Sequence, residues 1–212
     1  MKLPYLSLSS RECLSRLESF VPAVTSIETC VRASVLVLLF ADEEGELRVV
    51  LTTRSKNLRS HSGDVSLPGG KADGGEGVWS TARREAFEEI GLPVSIGAPL
   101  HIEQLTTLAP HLSRTHIVVT PCIAYLSSIL SDGVIRVLDP KEVGDIFTVP
   151  FEMFLSKRGY RGGWISWFDK KWAMHEFYPE ASQVQVVEQN SESGERKIWG
   201  LTARILVEAA RV

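Results

Sequence analysis

Glu85, Glu88 and Glu89 stand at i, i+3 and i+4. On a helix of about 3.6 residues per turn, that spacing gathers three carboxylates within about 100° of one face. Like charges so placed destabilise a helix, so a positive group is expected to offset them. The donors are all oxygen, which suits a hard divalent cation. Mg²⁺ in particular is held by a few carboxylates, by water and by the phosphates of a substrate. Just upstream runs Pro68-Gly-Gly-Lys-Ala-Asp-Gly-Gly-Glu-Gly77, whose glycines admit positive φ and let backbone approach a ligand or ion. Carboxylate face and glycine loop together make a site for a metal-bound phosphate ester. The alternative is a solvated acidic surface, and three glutamates alone do not exclude it.

Arg54, Lys56 and Arg59 fall within six residues beside the glycine loop. Guanidinium forks match phosphate oxygens in geometry and charge; the competing reading is a set of solvated loop charges. His61 has two readings, a phosphate donor or a brace for the following turn. His111 and His116, in the loop beginning with Pro110, have two readings, a plain surface role or contact with substrate, the first favoured; Asp42-Glu43-Glu44 is expected as a solvated hairpin turn. The five tryptophans read mainly as core or ring-packing residues, although Trp164 and Trp167 in a glycine-rich region could line a pocket.

The full spacing from Gly70 through Glu76, Arg84-Glu85 and Glu88-Glu89 to Gly91-Leu92 resembles the Nudix box, with Ala86 as its small aliphatic member. Upstream, Leu51-Thr-Thr-Arg54-Ser55, Leu58-Arg59, His61, Gly63 and Leu67-Pro68-Gly69-Gly70 resemble the additional motif of the coenzyme A pyrophosphatase branch of that superfamily. Leu67 stands where the branch usually has Phe, and Thr52 where it usually has an apolar residue. Glu142-Val143, Phe147-Thr-Val-Pro150 and Ile198-Trp-Gly-Leu-Thr-Ala203 resemble the same branch, so the likeness spans residues 31–206.

The resemblance implies a Nudix α/β/α sandwich with a central mixed sheet. It also implies metal-dependent hydrolysis of the pyrophosphate in coenzyme A or its acyl or oxidised derivatives. Glu85, Glu88 and Glu89 would hold Mg²⁺ or Mn²⁺, aided by the Gly70 carbonyl, and Arg54, Arg59, His61, Gly69 and Gly70 would contact substrate. Glu76 and Arg84 would brace the loop and helix; Glu85, Glu88 and Glu142 are all open as general base, and Glu142 also as a remote metal ligand. Two other functions stay in view: a broader nucleoside-diphosphate hydrolase acting on oxidised nucleotides such as 8-oxo-dGTP, and a non-catalytic ligand-sensing Nudix module. The sensor reading predicts loss of box acids, and all three are present.

Positioning this site requires particular elements. Trp79, Ala82, Ala86 and Ile90 line the face beside the glutamates, so a helix over Val78–Ile90 packs on a sheet, with Gly91 as its C-cap. Val31–Phe40 and Leu47–Thr53 read as a β-hairpin. Further strands are expected at Leu100–Leu108, His116–Leu126, Val134–Leu138, Asp145–Val149, Ala173–Phe177 and Val184–Val187, with Ala109–Thr115 as a loop. Helices are expected at Ser9–Phe20, with Ser9 and Glu12 as a capping box, and at Leu201–Arg211. The boundaries so drawn are an N-terminal helical extension over 1–30 and a mixed α/β domain over 31–212.

With 212 residues, 44% hydrophobic and 23% charged, and a net charge of −3, the chain can bury one ordinary core. That charge argues against a dedicated nucleic-acid binder. Cys13, Cys30 and Cys122 lack metal or disulfide spacing and suit reduced thiols in an intracellular protein. No apolar run approaches the roughly 20 residues of a spanning helix, the N-terminus does not read as a secretory signal, and Ala-Ala-Arg-Val is not a peroxisomal Ser-Lys-Leu tail. A soluble protein acting on a small molecule is expected, in cytoplasm, mitochondrion or peroxisome. It would be a monomer or a homodimer; the apolar hairpin and the terminal helix could serve as dimer surfaces or equally as core.

Overall fold

Two runs of β-branched and aliphatic residues form the centre of the molecule. β1 (Arg32–Ala41) and β2 (Leu47–Arg54) pair antiparallel, Leu39 opposite Val49, as the sequence suggests. The computed structural model describes residues 5–23, 31–58, 60–93, 101–127, 134–167, 170–190 and 196–212. β3 (Val65–Ser66) and β4 (Gly69–Lys71) follow, then α2 (Val78–Ile90), which comes after α1 (Leu8–Ser19) in the chain. Next come β5 (Ile102–Thr107), β6 (His111–Leu112), β7 (Val118–Leu126) and β8 (Val143–Pro150). The chain continues through β9 (Tyr160–Trp167), β10 (Lys170–Phe177), β11 (Gln185–Gln189), β12 (Ile198–Trp199) and α3 (Gly200–Arg211).

The main sheet runs β11-β8-β2-β1-β7-β5, with β3 on β2, β4 on β1 and β6 on β7. β1 and β7 are parallel and the other described pairs antiparallel, so the sheet is mixed. Side chains alternate between its two faces. Leu36, Leu38, Phe40 and Val50 point to one face and bury against Ala82, Ala86 and Ile90 of α2. Val37, Leu39, Val49 and Leu51 point to the other, against Leu14 and Leu17 of α1 and Ala203, Leu206 and Ala210 of α3. This is an α/β/α sandwich. The apolar residues of the hairpin and the terminal helix thereby join the chain's own core.

Several expectations are corrected. The N-cap of α1 is Ser7, whose Oγ accepts from the Ser10 N–H at 3.1 Å, so Ser9 lies inside the helix rather than capping it. Val134–Leu138 is not a strand. Its amides turn to α2, where Arg136 and Leu138 donate to the carbonyls of Ile90 and Glu89, and Val137 donates to Glu188. The segment satisfies helix-end carbonyls that would otherwise be orphaned. The loop Ala109–Thr115 contains β6, paired with β7. A second sheet, β12-β10-β9, was not anticipated as such, because β9 is exposed and carries Gly162 and Gly163.

Candidate functional site

α2 begins and ends where its sequence dictates. Gly91 sits at φ 68° and closes the helix with its N–H on the carbonyls of Ala86 and Phe87. The buried stripe of Ala82, Ala86 and Ile90 fixes the rotation of α2 on the sheet and turns Glu85 and Glu89 toward β4. Glu89 is only 5% exposed, and its Oε2 accepts from the Gly69 N–H at 3.1 Å. Burial pushes its carboxyl up to about 8; the Gly69 hydrogen bond and Arg54 oppose the shift, while Glu85 and Glu142 add to it. Burial likewise raises Glu85, against the pull of Arg84.

Gly70 has no room for a side chain. A Cβ there would lie 2.4 Å from the Glu85 carboxylate, so that carboxylate occupies the space the glycine leaves. Gly69, at φ 149°, is constrained differently, since its Cβ would meet the Ser34 carbonyl oxygen at 2.3 Å and Val35 Cα at 2.6 Å. Here β4 pairs with β1, Gly70 opposite Ser34 and Gly69 opposite Val35. The pairing therefore delivers the loop backbone directly to the glutamates.

Arg84 organises the exposed side of the site. Its Nη1 donates to Glu85 at 2.9 Å and to Glu88 at 3.1 Å, its Nε to Glu76 at 2.9 Å, and its Nη2 to the Lys71 carbonyl at 2.9 Å. Glu76 also accepts from the Asp73 N–H and the Thr81 hydroxyl, and its bonds to Arg84 hold its carboxyl down to about 2. Glu76 and Arg84 thus brace loop and helix. The Lys71 carbonyl and Asp73 amide in this brace are backbone groups, so residue type gave no sign of them.

Of the residues read from sequence, Glu85, Glu89, Gly69 and Gly70 come together, with Arg54 near enough for its charge to act on Glu89 and Glu142 near enough to act on both glutamates. Glu142 is placed by its carbonyl, which accepts from the Ser55 N–H at 2.8 Å. Glu88 is half exposed and turned to Arg84. His61, at φ 55° with its ring exposed, places Nδ1 2.9 Å from Asp64 and so braces its turn. Asp64 in turn accepts from the Trp199 indole N–H at 3.3 Å, a tie between that turn and β12. Arg59 and the Trp167 side chain lie outside the described residues.

Oxygen donors at the site suit a hard divalent cation, and the space kept for the Glu85 carboxylate and the buried carboxyl of Glu89, whose burial a cation would offset, fit one. Among the described residues no three acidic, histidine or cysteine side chains already converge as a closed ligand set. Arg84 bonds Glu85 and Glu88 instead.

A NUDIX domain model matches residues 31–168. The chain belongs to the Nudix family. It is 40% identical to "Nudix hydrolase 15, mitochondrial" of Arabidopsis thaliana over 184 residues, covering 85% of this chain and 58% of that protein. It is 39% identical to "Nudix hydrolase 22, chloroplastic" of the same plant, covering 85% and 55%. The chain thus spans somewhat over half the length of these two curated relatives. With "Peroxisomal coenzyme A diphosphatase 1, peroxisomal" of Saccharomyces cerevisiae it shares 31% identity, over 84% of this chain and 68% of that one.

Other residues singled out in this Nudix chain lie elsewhere. His111 is buried rather than on the surface, with Nε2 3.3 Å from Glu208 of α3. His116 sits in a turn at φ 60°. Trp164 is 73% exposed, not core, and lines a hollow with Tyr160, His175 and Arg211 that includes none of the carboxylate residues. Cys13 and Cys122 are free thiols, and Cys30 lies outside the described residues. Among the described residues no helix is long and apolar enough to cross a membrane.

Proposed function

We propose that this Nudix protein hydrolyses the pyrophosphate bond of coenzyme A and its acylated or oxidised derivatives. The products are adenosine 3′,5′-bisphosphate and 4′-phosphopantetheine or its derivative. The observation that carries the reading is the place of Arg54 at the end of β2, where its backbone bonds Asp64 and Gly63 and the next residue, Ser55, bonds the Glu142 carbonyl. A guanidinium beside a carboxylate-and-glycine site suits a ligand with more phosphate than the metal alone can neutralise. The upstream motif around Arg54 and the similarity to the yeast coenzyme A diphosphatase support the same substrate.

Held by Glu85, Glu88, Glu89 and the Gly70 carbonyl, Mg²⁺ or Mn²⁺ would neutralise pyrophosphate charge and acidify water for attack at phosphorus. Arg54 grips phosphate oxygens through fork-shaped hydrogen bonds, the role the sequence motif also assigns to Arg59. The Gly69 N–H fixes the Glu89 carboxylate, and Arg84 fixes Glu85 and Glu88. Glu85, Glu88 and Glu142 are the candidates to accept the proton of the attacking water.

The test is product analysis with coenzyme A and Mg²⁺, beside equimolar 8-oxo-dGTP and ADP-ribose. Adenosine 3′,5′-bisphosphate is expected, and EDTA should abolish it. Turnover of another nucleotide without cleavage of coenzyme A would overturn the substrate and leave the metal site standing. Replacing Glu88 and Glu89 together by Gln should cut turnover on the order of 10²-fold or more, the scale of a lost acid–base or metal-held group. Undiminished turnover in that variant would refute the assigned chemistry.

A further inference from the structure

β9 is the outer strand of the second sheet, and among the described residues only β10 pairs with it. Its sequence, Tyr-Arg-Gly-Gly-Trp-Ile-Ser-Trp, holds none of the devices that blunt a free edge, with no Lys, Pro or acidic residue and a single charge at Arg161. Such an edge offers a row of unsatisfied N–H and C=O groups as a template for another strand. Trp164 is 73% and Ile165 41% exposed on it. A large indole and a β-branched side chain left in water on a bare edge are the features expected of a covered surface.

We propose that the cover is β9 of a second copy, paired antiparallel about a two-fold axis normal to the sheet. Such an axis brings each residue opposite one of the same facing, so a residue sits on the axis or pairs with one an even number of positions away. The open space in β9 selects the register. A Cβ on Gly163 meets nothing within 4 Å, whereas one on Gly162 collides with the Tyr160 ring, which already covers it. With Trp164 on the axis, the partner's Ile165 lies over the open Gly163, and the reverse contact repeats it. The two indoles then meet across the axis, beside a hollow of about 400 Å³ lined by Tyr160, Gly162, Trp164, Ala173, His175 and Arg211.

Its aromatic, imidazole and guanidinium lining is what an indole packs against. Charge fits this direction alone. Parallel pairing in register would oppose Arg161 to the partner's Arg161, while antiparallel pairing sends the two to opposite ends of the ladder.

Sedimentation velocity over a wide range of loading concentration should show the 23.5 kDa chain moving from monomer toward dimer. Trp164→Glu, which sets two carboxylates face to face on the axis, should abolish the dimer and leave the circular dichroism spectrum unchanged. Under mild oxidation, Trp164→Cys should give a dimer reducible by thiol, because the two positions face each other within disulfide reach. Ser166→Cys faces Gly162 of the partner subunit and should not crosslink beyond the wild type. A wild type that stays monomeric, a dimer that survives Trp164→Glu, or Ser166→Cys crosslinking as readily as Trp164→Cys would each overturn the proposal.

Discussion

Gly69 and Gly70 are neighbours in sequence, yet they are glycines for different reasons, and substitution separates them. At Gly70 the obstacle to a Cβ is the far end of a flexible side chain, the Glu85 carboxylate at 2.4 Å. Gly70→Ala can therefore fold by pushing that carboxylate aside. The expected result is a melting temperature within ~3 °C of wild type and turnover reduced about tenfold or more, because misplacing a catalytic-site group by about 1 Å is costly. At Gly69 the obstacles are backbone atoms of β1, and φ lies at 149°. Gly69→Ala has no flexible neighbour to move, so it should cost about 1–3 kcal/mol of strain or more, seen as a lower melting temperature. Parallel melts and rate assays check both, and equal loss of stability in the two variants would refute the distinction.

Among the elements, α2 was legible to the residue because its punctuation and its apolar stripe agree, and Gly91 supplies a left-handed cap. Its glutamates were legible as a face for the same reason. The Arg84 brace was only partly so, since the Lys71 carbonyl and Asp73 amide have no side-chain signature. Val134–Leu138 misled because alternation of apolar residues does not reveal where amides are satisfied, here at the end of α2.

His111 misled in the opposite way. A polar ring after Pro110 suggests surface, but β6 carries it under α3. Burial, with Arg204 adding to it, holds its imidazole down to about 4, against about 6.5 in the unfolded chain. The Glu208 carboxylate at 3.3 Å works against that shift, but at 7% exposure the cost of a buried charge prevails. Between those two values the unfolded chain takes up a proton that the folded chain refuses. Stability is therefore full near neutrality and falls as pH drops from about 6.5 toward 4. Between pH 7 and 5 this amounts to about 2 kcal/mol, or ~4–8 °C. His111→Leu should lose less melting temperature than wild type over that interval, and equal losses would show that His111 does not titrate on unfolding.

For the whole molecule, the question is how far the folding unit extends beyond the residues that resemble the family. The matched domain begins at residue 31, and sequence alone suggested an extension before it. In the structure α1 closes the face of the sheet opposite α2, with Leu17 fully buried and Leu14 nearly so. Hydrogen bonds at both ends hold it, from the Ser7 N–H to the Gly45 carbonyl and from the Thr106 hydroxyl to the Phe20 carbonyl. A Cβ on Gly45 would strike the Tyr5 carbonyl oxygen at 2.5 Å, so the β1–β2 turn is shaped to receive this segment. Leu17→Ala removes a side chain from a packed interior and should cost about 2–5 kcal/mol, which for a domain of this size lowers the melting temperature by ~5–15 °C. Because α1 lies across the sheet from Glu85 and Glu89, turnover per folded molecule should be nearly unchanged. Melting temperature and active-site-normalised rate, measured on one preparation, separate the two. A variant that melts with the wild type would make α1 an appendage, whereas the loss predicted here makes it a wall of the core that holds the site's sheet in place.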